Sequence, residues 1–228
     1  MPPSFVKRHD VRYLDTLFDW PRVQPLPADQ LRRIPQEHLS LWCLQHGLYQ
    51  LPSVELIDFL GEHIGSANRA LEIGAGAGHI GRHVGIPMVD NKMQDWPEIR
   101  SFYQSLNQPT VSYGADVLTE DANAAVERLQ PQVVLGCWVT ERSKVGHPGG
   151  NMYGPDEQAL LAHPALDCYL MVGNRRVHDG KLIRNECRHE VLQPDWLFSR
   201  SLDRASNVIY LFYPRSDDFG LKTLVPGL

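Results

Sequence analysis

The sequence has little that would build a cross-linked or metal-held scaffold. Only four cysteines, Cys43, Cys137, Cys168 and Cys187, stand in 228 residues, with no CxxC pair and no regular framework. Three of them lie in apolar contexts, where a free thiol packs as a small hydrophobe. That usage points to a reducing compartment rather than a disulfide-stapled secreted fold. The His and Cys residues lack ligand spacing, so no metal is expected. There is no run of about 18 apolar residues, which argues against a membrane-spanning helix. The opening MPPSFVKRHDVRYLD has no apolar core of signal-peptide length, so a cytoplasmic protein is expected. The GxSxG, Walker A and HExxH strings are missing, and with them the usual signatures of serine hydrolases, P-loop enzymes and zinc proteases. Positive charge is short as well: the formal net charge is −5 and the isoelectric point near 6.0. A large nucleic-acid interface needs a positive surface to displace counterions, so nucleic acid is the less expected partner. The basic stretch 175–188 reads as a solvated loop or, alternatively, as a local patch that keeps that partner open.

What is present suffices for a full core without staples: 43% of residues are hydrophobic and 21% charged. Residues 1–28 carry Trp20, Pro21, Pro25 and Pro27 and read as an irregular arm packed on the rest. From Asp29, an apolar stripe of Leu31, Ile34, Leu39, Leu41, Trp42 and Leu44 predicts helix interrupted at Pro35. Ser53 is the expected N-cap of a further helix through Leu56, Ile57, Leu60 and Ile64, with Gly65 closing it. Beyond it, short apolar runs at 70–73, 86–89, 111–113, 133–135 and 169–172 alternate with helix candidates near 79–84, 96–106, 121–129 and 155–163. Such alternation predicts a parallel sheet with helices on both faces. After Val172 it stops, and 189–192 and 207–213 read as an antiparallel strand pair at the end of the sheet. Two parts follow: residues 1–45, an arm and helix packing on the core, and residues 46–228, the α/β domain.

The informative string is Leu71-Glu72-Ile73-Gly74-Ala75-Gly76-Ala77-Gly78, which follows a strand and opens a helix. Glycines there let the backbone turn sharply and approach a ligand closely. In open α/β sheets ligands bind beyond the carboxyl ends of the strands. Gly76 to Gly81 also matches GxGxxG, the dinucleotide fingerprint. Against that reading, the first glycine after the strand is Gly74. Glu72 places a carboxylate inside the strand, suited to a cationic ammonium. Asp90 comes 14 residues after Gly76, where the fingerprint expects about 20.

Glu72-Ile-Gly74-Ala-Gly76-Ala-Gly78 resembles motif I (E/DxGxGxG) of the class I S-adenosylmethionine (SAM)-dependent methyltransferases. The resemblance extends over roughly residues 45–213. It implies a seven-stranded Rossmann-like, mostly parallel sheet with an antiparallel last strand, here with a helical N-terminal extension. By the same resemblance Asp90 serves the ribose hydroxyls, Asp116 beside Val117 serves the adenine amino group, and Cys137 and Trp138 lie beside the methyl-transfer position. Asn91 is assigned to the adenosine side. Residues 47–56 resemble a lead-in helix that lids such sites. The implied cofactor is SAM, and the implied activity is methyl transfer to a small molecule or a protein side chain.

Methyl transfer needs alignment and, for some acceptors, a base. The long loop after the fourth strand is the expected active-site loop, with Glu141 or His147 as general base, although His147 also reads as a plain loop histidine. Tyr49, Thr140, Tyr153, Asn174 and His178 are the expected substrate-side residues. Cys137 reads as a buried thiol rather than a nucleophile. Two alternatives stay open: a non-catalytic module of the same fold that binds a partner, and an NAD(P)-linked oxidoreductase. The oligomeric state is left undetermined by the sequence.

Overall fold

Short apolar runs bounded by Gly, Pro and polar turns become strands: β1 (Ala70–Ile73), β2 (Met88–Asp90), β3 (Leu118–Thr119), β4 (Val133–Cys137), β5 (Cys168–Asn174), β6 (Arg188–Leu192) and β7 (Asn207–Tyr213). Residues 9–144 and 150–215 are described, in a computed structural model. The strands form one sheet in the order β3-β2-β1-β4-β5-β7-β6. β1 to β5 run parallel, and β7 is antiparallel to both β5 and β6. This is the seven-stranded Rossmann-like sheet expected above, with β7 inserted rather than added at the edge. The strand order reverses at β1, whose Ile73 lies opposite Val89 of β2 and Gly136 of β4. That switch point opens a crevice at the carboxyl ends of the strands.

Side chains alternate across the sheet, as the period of two requires. Leu71, Ile73, Val134, Tyr169 and Met171 pack into one core layer. Ala70, Val133, Leu135, Leu170 and Val172 pack into the other, against Leu56, Leu60 and Ile64. Those three lie on α4 (Val54–Ile64), whose N-cap Ser53 accepts a hydrogen bond from Leu56 N at 3.1 Å. Ser53 also donates to the Trp196 carbonyl at 2.9 Å, so one hydroxyl ties the helix start to the 196–199 segment. Ser53→Ala is expected to cost about 1–2 kcal/mol. For a chain of this size that is a loss of roughly 3–6 °C in melting temperature, read by calorimetry.

The remaining helices are α1 (Tyr13–Leu17), α2 (Ala28–Arg32), α3 (Gln36–Gln45), α5 (His79–Val84), α6 (Pro97–Ser105), α7 (Ala122–Leu129), α8 (Glu157–Leu161) and α9 (Arg175–His178). Pro35 separates α2 from α3, as its missing N–H requires. A third core cluster joins Leu14, Phe18, Leu31, Leu39, Trp42 and Leu51 to Phe198. Phe18 stacks on Trp42 at 4.6 Å between ring centroids. The arm therefore packs on the α/β domain, and it contains the short α1 where an irregular segment was expected.

Two further expectations are corrected. The third strand lies at 118–119, not 111–113. Gln94 takes up the earlier segment instead: its Oε1 accepts from Val111 N at 2.9 Å, and its backbone N donates to the Tyr113 hydroxyl at 3.1 Å. The segment 47–53 is not helical. Gly47 has φ +66°, Leu51 N donates to the Phe198 carbonyl at 2.9 Å, and helix begins only after Pro52.

Candidate active site

At the carboxyl ends of β1, β2 and β4, the chain forms a cleft of about 410 Å³. Its floor is the glycine loop. Gly74, Gly76 and Gly78 have φ of +58°, +57° and +74°, the left-handed region that side chains avoid. A Cβ on Gly78 would come within 2.8 Å of Val117 Cγ2, so this turn has no room for a side chain. Asp90 ends β2 at the cleft wall and fixes the loop: its Oδ2 accepts from Gly76 N at 2.9 Å and its Oδ1 from Lys92 N at 2.7 Å. Burial raises its pKa, against the pull of those two N–H groups. Asn91, beside it, donates to the Tyr153 carbonyl at 2.9 Å and accepts from Met93 N at 3.1 Å.

Glu72 sits lower, in a smaller recess of about 60 Å³ that continues past Gly74 and Gly76 toward residues 47–50. It is 1% exposed. Its Oε2 accepts from Gly81 N at 2.8 Å, and the Cys137 thiol is its other partner. Burial pushes its pKa up to about 8, so the carboxyl is mostly neutral at pH 7. Burial and the Glu72 carboxylate together hold the Cys137 thiol well above its ordinary value, which suits an inert thiol and not a nucleophile.

Trp138 is the strained residue of the site. It adopts φ +60°, unusual for a bulky side chain. Two bonds hold it there: its N donates to the Val172 carbonyl at 2.7 Å, and its Nε1 to Gln50 Oε1 at 3.2 Å. Strain of this kind collects at functional positions.

Of the residues singled out in the sequence, the cleft is lined by Tyr49, Gly74, Gly76, Asp90, Asn91, Cys137, Trp138, Thr140 and Tyr153. Glu72 and Gly78 line the adjoining recess. Others lie elsewhere. Asp116 and Val117 precede β3, and the Asp116 carboxylate is taken by Arg82, with Nε at 2.8 Å and Nη2 at 2.5 Å. That bond to Arg82 holds its pKa below the usual range. The acids that face the cleft after β3 are Glu120 and Asp121. Because the Arg82–Asp116 pair is over a third exposed on each side, Asp116→Asn is expected to cost less than ~1 kcal/mol. By titration calorimetry it should leave adenosyl-ligand affinity within twofold.

Glu141 is buried behind the loop, where its Oε2 accepts from Leu182 N at 3.3 Å. It does not line the cleft. Asn174 caps α9, accepting from Arg176 N at 3.1 Å, and donates to Asn207 Oδ1 at 3.0 Å. His178 is buried with its Nδ1 3.0 Å from the Asn174 backbone, and burial drops its pKa to about 3. Both are scaffold beneath Trp138, whose ring meets that of His178 edge-on at 5.7 Å. His147 lies outside the described residues.

Sequence reasoning missed the outer wall: Met93, Gln94, Ile99, Phe102, Tyr103, Val111 and Tyr113. One signal was available: Ile99, Phe102 and Tyr103 stand at helical spacing on one face of the 96–106 helix candidate, and the structure leaves that face of α6 without a core, no residue of α6 being buried. An apolar face left without a core commonly borders a binding site.

The Rossmann-like sheet brings its glycine loop and β2 acid together in one cleft. No family model matches the chain, nor does any curated protein. Solved structures align with it weakly. The 23S rRNA methyltransferase ErmE aligns at TM-score 0.34 and 13% identity, covering 71% of this chain and 68% of that one. The SAM-dependent methyltransferase from Agrobacterium tumefaciens aligns at 0.35 and 12%, covering 71% and 62%. A mutant of DNMT2 from Spodoptera frugiperda aligns at 0.34 and 10%, covering 69% and 55%. At these values the alignments say nothing of cofactor or acceptor. Among the described residues no helix is long and apolar enough to cross a membrane.

Proposed function

We propose that the chain is a SAM-dependent methyltransferase acting on a small molecule or a protein side chain. The observation that carries this reading is the Asp90 carboxylate at the cleft wall, bonded to the glycine loop at Gly76 N. It sets a carboxylate and a close-approach backbone side by side at the switch point, as a ribose and its attached chain require. The residues present fit the group. Side chains are excluded from the loop floor. A buried acid, Glu72, waits in the recess that continues from it. The cleft volume also falls within the roughly 300–1,000 Å³ of ligand sites.

In this reading Asp90 accepts from the ribose hydroxyls, Asn91 and Met93 flank the base, and Glu72 receives the ammonium. When bound, SAM supplies an electrophilic sulfonium methyl. The chain aligns the acceptor with it and keeps water out, through Trp138, Val139 and Thr140 after β4 and Tyr49 opposite. Glu120 and Asp121 are the acids in reach of an acceptor's proton. His147 keeps its candidacy as a base by sequence alone.

Calorimetric titration with SAM, S-adenosylhomocysteine, NADH and NADPH tests the cofactor. Micromolar binding of the adenosyl ligands and none of the nicotinamides is expected. Nicotinamide binding alone would overturn the reading in favour of an oxidoreductase. Adenosyl binding with no turnover across an acceptor screen would convert it to a non-catalytic module.

A further inference from the structure

The acceptor end of the cleft has a chemical character of its own. Three rings from separate parts of the chain meet there. The Tyr49 and Trp138 centroids are 6.0 Å apart. The Tyr49 and Tyr103 hydroxyls are 3.3 Å apart. All three residues line the cleft, next to Thr140. Their polar atoms are largely spent within the fold. The Trp138 Nε1 is bonded to Gln50, and the two tyrosine hydroxyls are bonded to each other. The Arg200 guanidinium stacks 3.8 Å above the Tyr49 ring without lining the cleft. What the rings offer inward is apolar π surface.

The charges in the cleft have one sign. Asp90, Glu120 and Asp121 line it, and among the described residues no lysine, arginine or histidine does. The arginines beside the lining acids are engaged: Arg128 with Glu120, and Arg142 with Asp121. A phosphate entering here would meet carboxylates, with no cation among the described lining residues to receive it. A flat ring would gain stacking at no such cost.

We propose that this end of the cleft binds a flat, phosphate-free aromatic ring, and that the acceptor is a small molecule of that class. The inference rests on the methyltransferase reading for the word acceptor, but the ring site itself stands on the geometry.

The test uses a matched pair, 2-naphthol and 2-naphthyl phosphate, titrated into the whole protein with and without saturating S-adenosylhomocysteine. Ligand fluorescence reports binding. Expected is saturable binding of 2-naphthol, at least tenfold weaker binding of its phosphate, and at least a tenfold loss of 2-naphthol binding in both Trp138→Leu and Tyr103→Leu. A cooperative melting transition within a few degrees of the parent's verifies the fold of Tyr103→Leu, even if Trp138→Leu fails to fold. Equal or tighter binding of the phosphate would overturn the proposal. So would absence of 2-naphthol binding, or binding unchanged in Tyr103→Leu. A short single-stranded oligonucleotide that outcompetes 2-naphthol, with steep salt dependence, would overturn it in favour of a nucleic-acid acceptor. Failure of S-adenosylhomocysteine to bind while 2-naphthol still does would sink the methyltransferase reading and leave the ring site intact.

Discussion

Asp90→Ala is expected to weaken S-adenosylhomocysteine binding by a hundredfold or more while the protein stays folded. Two terms add. The carboxylate offers two oxygens to vicinal hydroxyls, and hydrogen bonds to charged groups are worth about 1.5–3 kcal/mol each. The same oxygens organise the floor, since Oδ2 holds Gly76 N at 2.9 Å and Oδ1 holds Lys92 N at 2.7 Å. Without them, the loop that must lie close to the ligand loses its anchor, and binding has to supply the ordering. The cost to the free protein is smaller, on the order of 1–2 kcal/mol, because Gly76 lines the open cleft and Lys92 is half-exposed, so the released N–H groups find water. Asp90→Asn keeps one acceptor and loses the charge, so its affinity should fall between the two, about tenfold below the parent. Calorimetric titration of the three proteins reads this directly. An Asp90→Ala affinity within threefold of the parent would remove Asp90 from the site and the reading with it.

The parts of the molecule readable from sequence are those fixed by local pattern. The Leu71 to Gly78 string announces a buried strand, a left-handed turn and a helix start, and each is present. Ser53 before Leu56, Leu60 and Ile64 announces a capped amphipathic helix. What was not readable depends on which distant groups meet. Val111 to Tyr113 has the composition of a strand. Gln94, 17 residues earlier, captures the Val111 N–H, so the segment becomes a wall of the cleft. Asp116 stands where the resemblance puts an adenine ligand, and Arg82 of α5 takes its carboxylate instead. Glu141 and His178 have the chemistry of bases. Burial behind the sheet end turns the first into a loop anchor and the second into a neutral support for Trp138. The Tyr49–Tyr103 contact joins residues 54 apart and has no local signature at all.

Glu72→Gln is expected to act in opposite directions on stability and on binding, and to do so as a function of pH. In the folded chain burial raises the Glu72 pKa to about 8 from an ordinary 4.5. A raised folded value means that the fold favours the protonated form. Its contribution to stability is intact below about pH 4.5, falls as the unfolded chain ionises, and levels off above pH 8. A shift of that size corresponds to a penalty on the order of a few kcal/mol at pH 8 and above. Glutamine carries no such penalty. Its Oε1 replaces the acceptor that Gly81 N uses at 2.8 Å. The variant should therefore match the parent near pH 5 and melt several degrees higher at pH 8–9, where each kcal/mol is worth roughly 2–4 °C for a chain of this size. Binding runs the other way. A cationic ammonium in the recess stabilises the carboxylate, so SAM binding to the parent should release a proton, and affinity should rise by about tenfold per unit between pH 6 and pH 8 before flattening. In Glu72→Gln the affinity should be at least tenfold lower at pH 8, with no pH slope in that window. Titrations in two buffers of different ionisation enthalpy measure the released proton directly. An affinity independent of pH in the parent, with no proton released, would show that the ammonium does not meet Glu72 and that this acid serves only to hold Gly81 and Cys137.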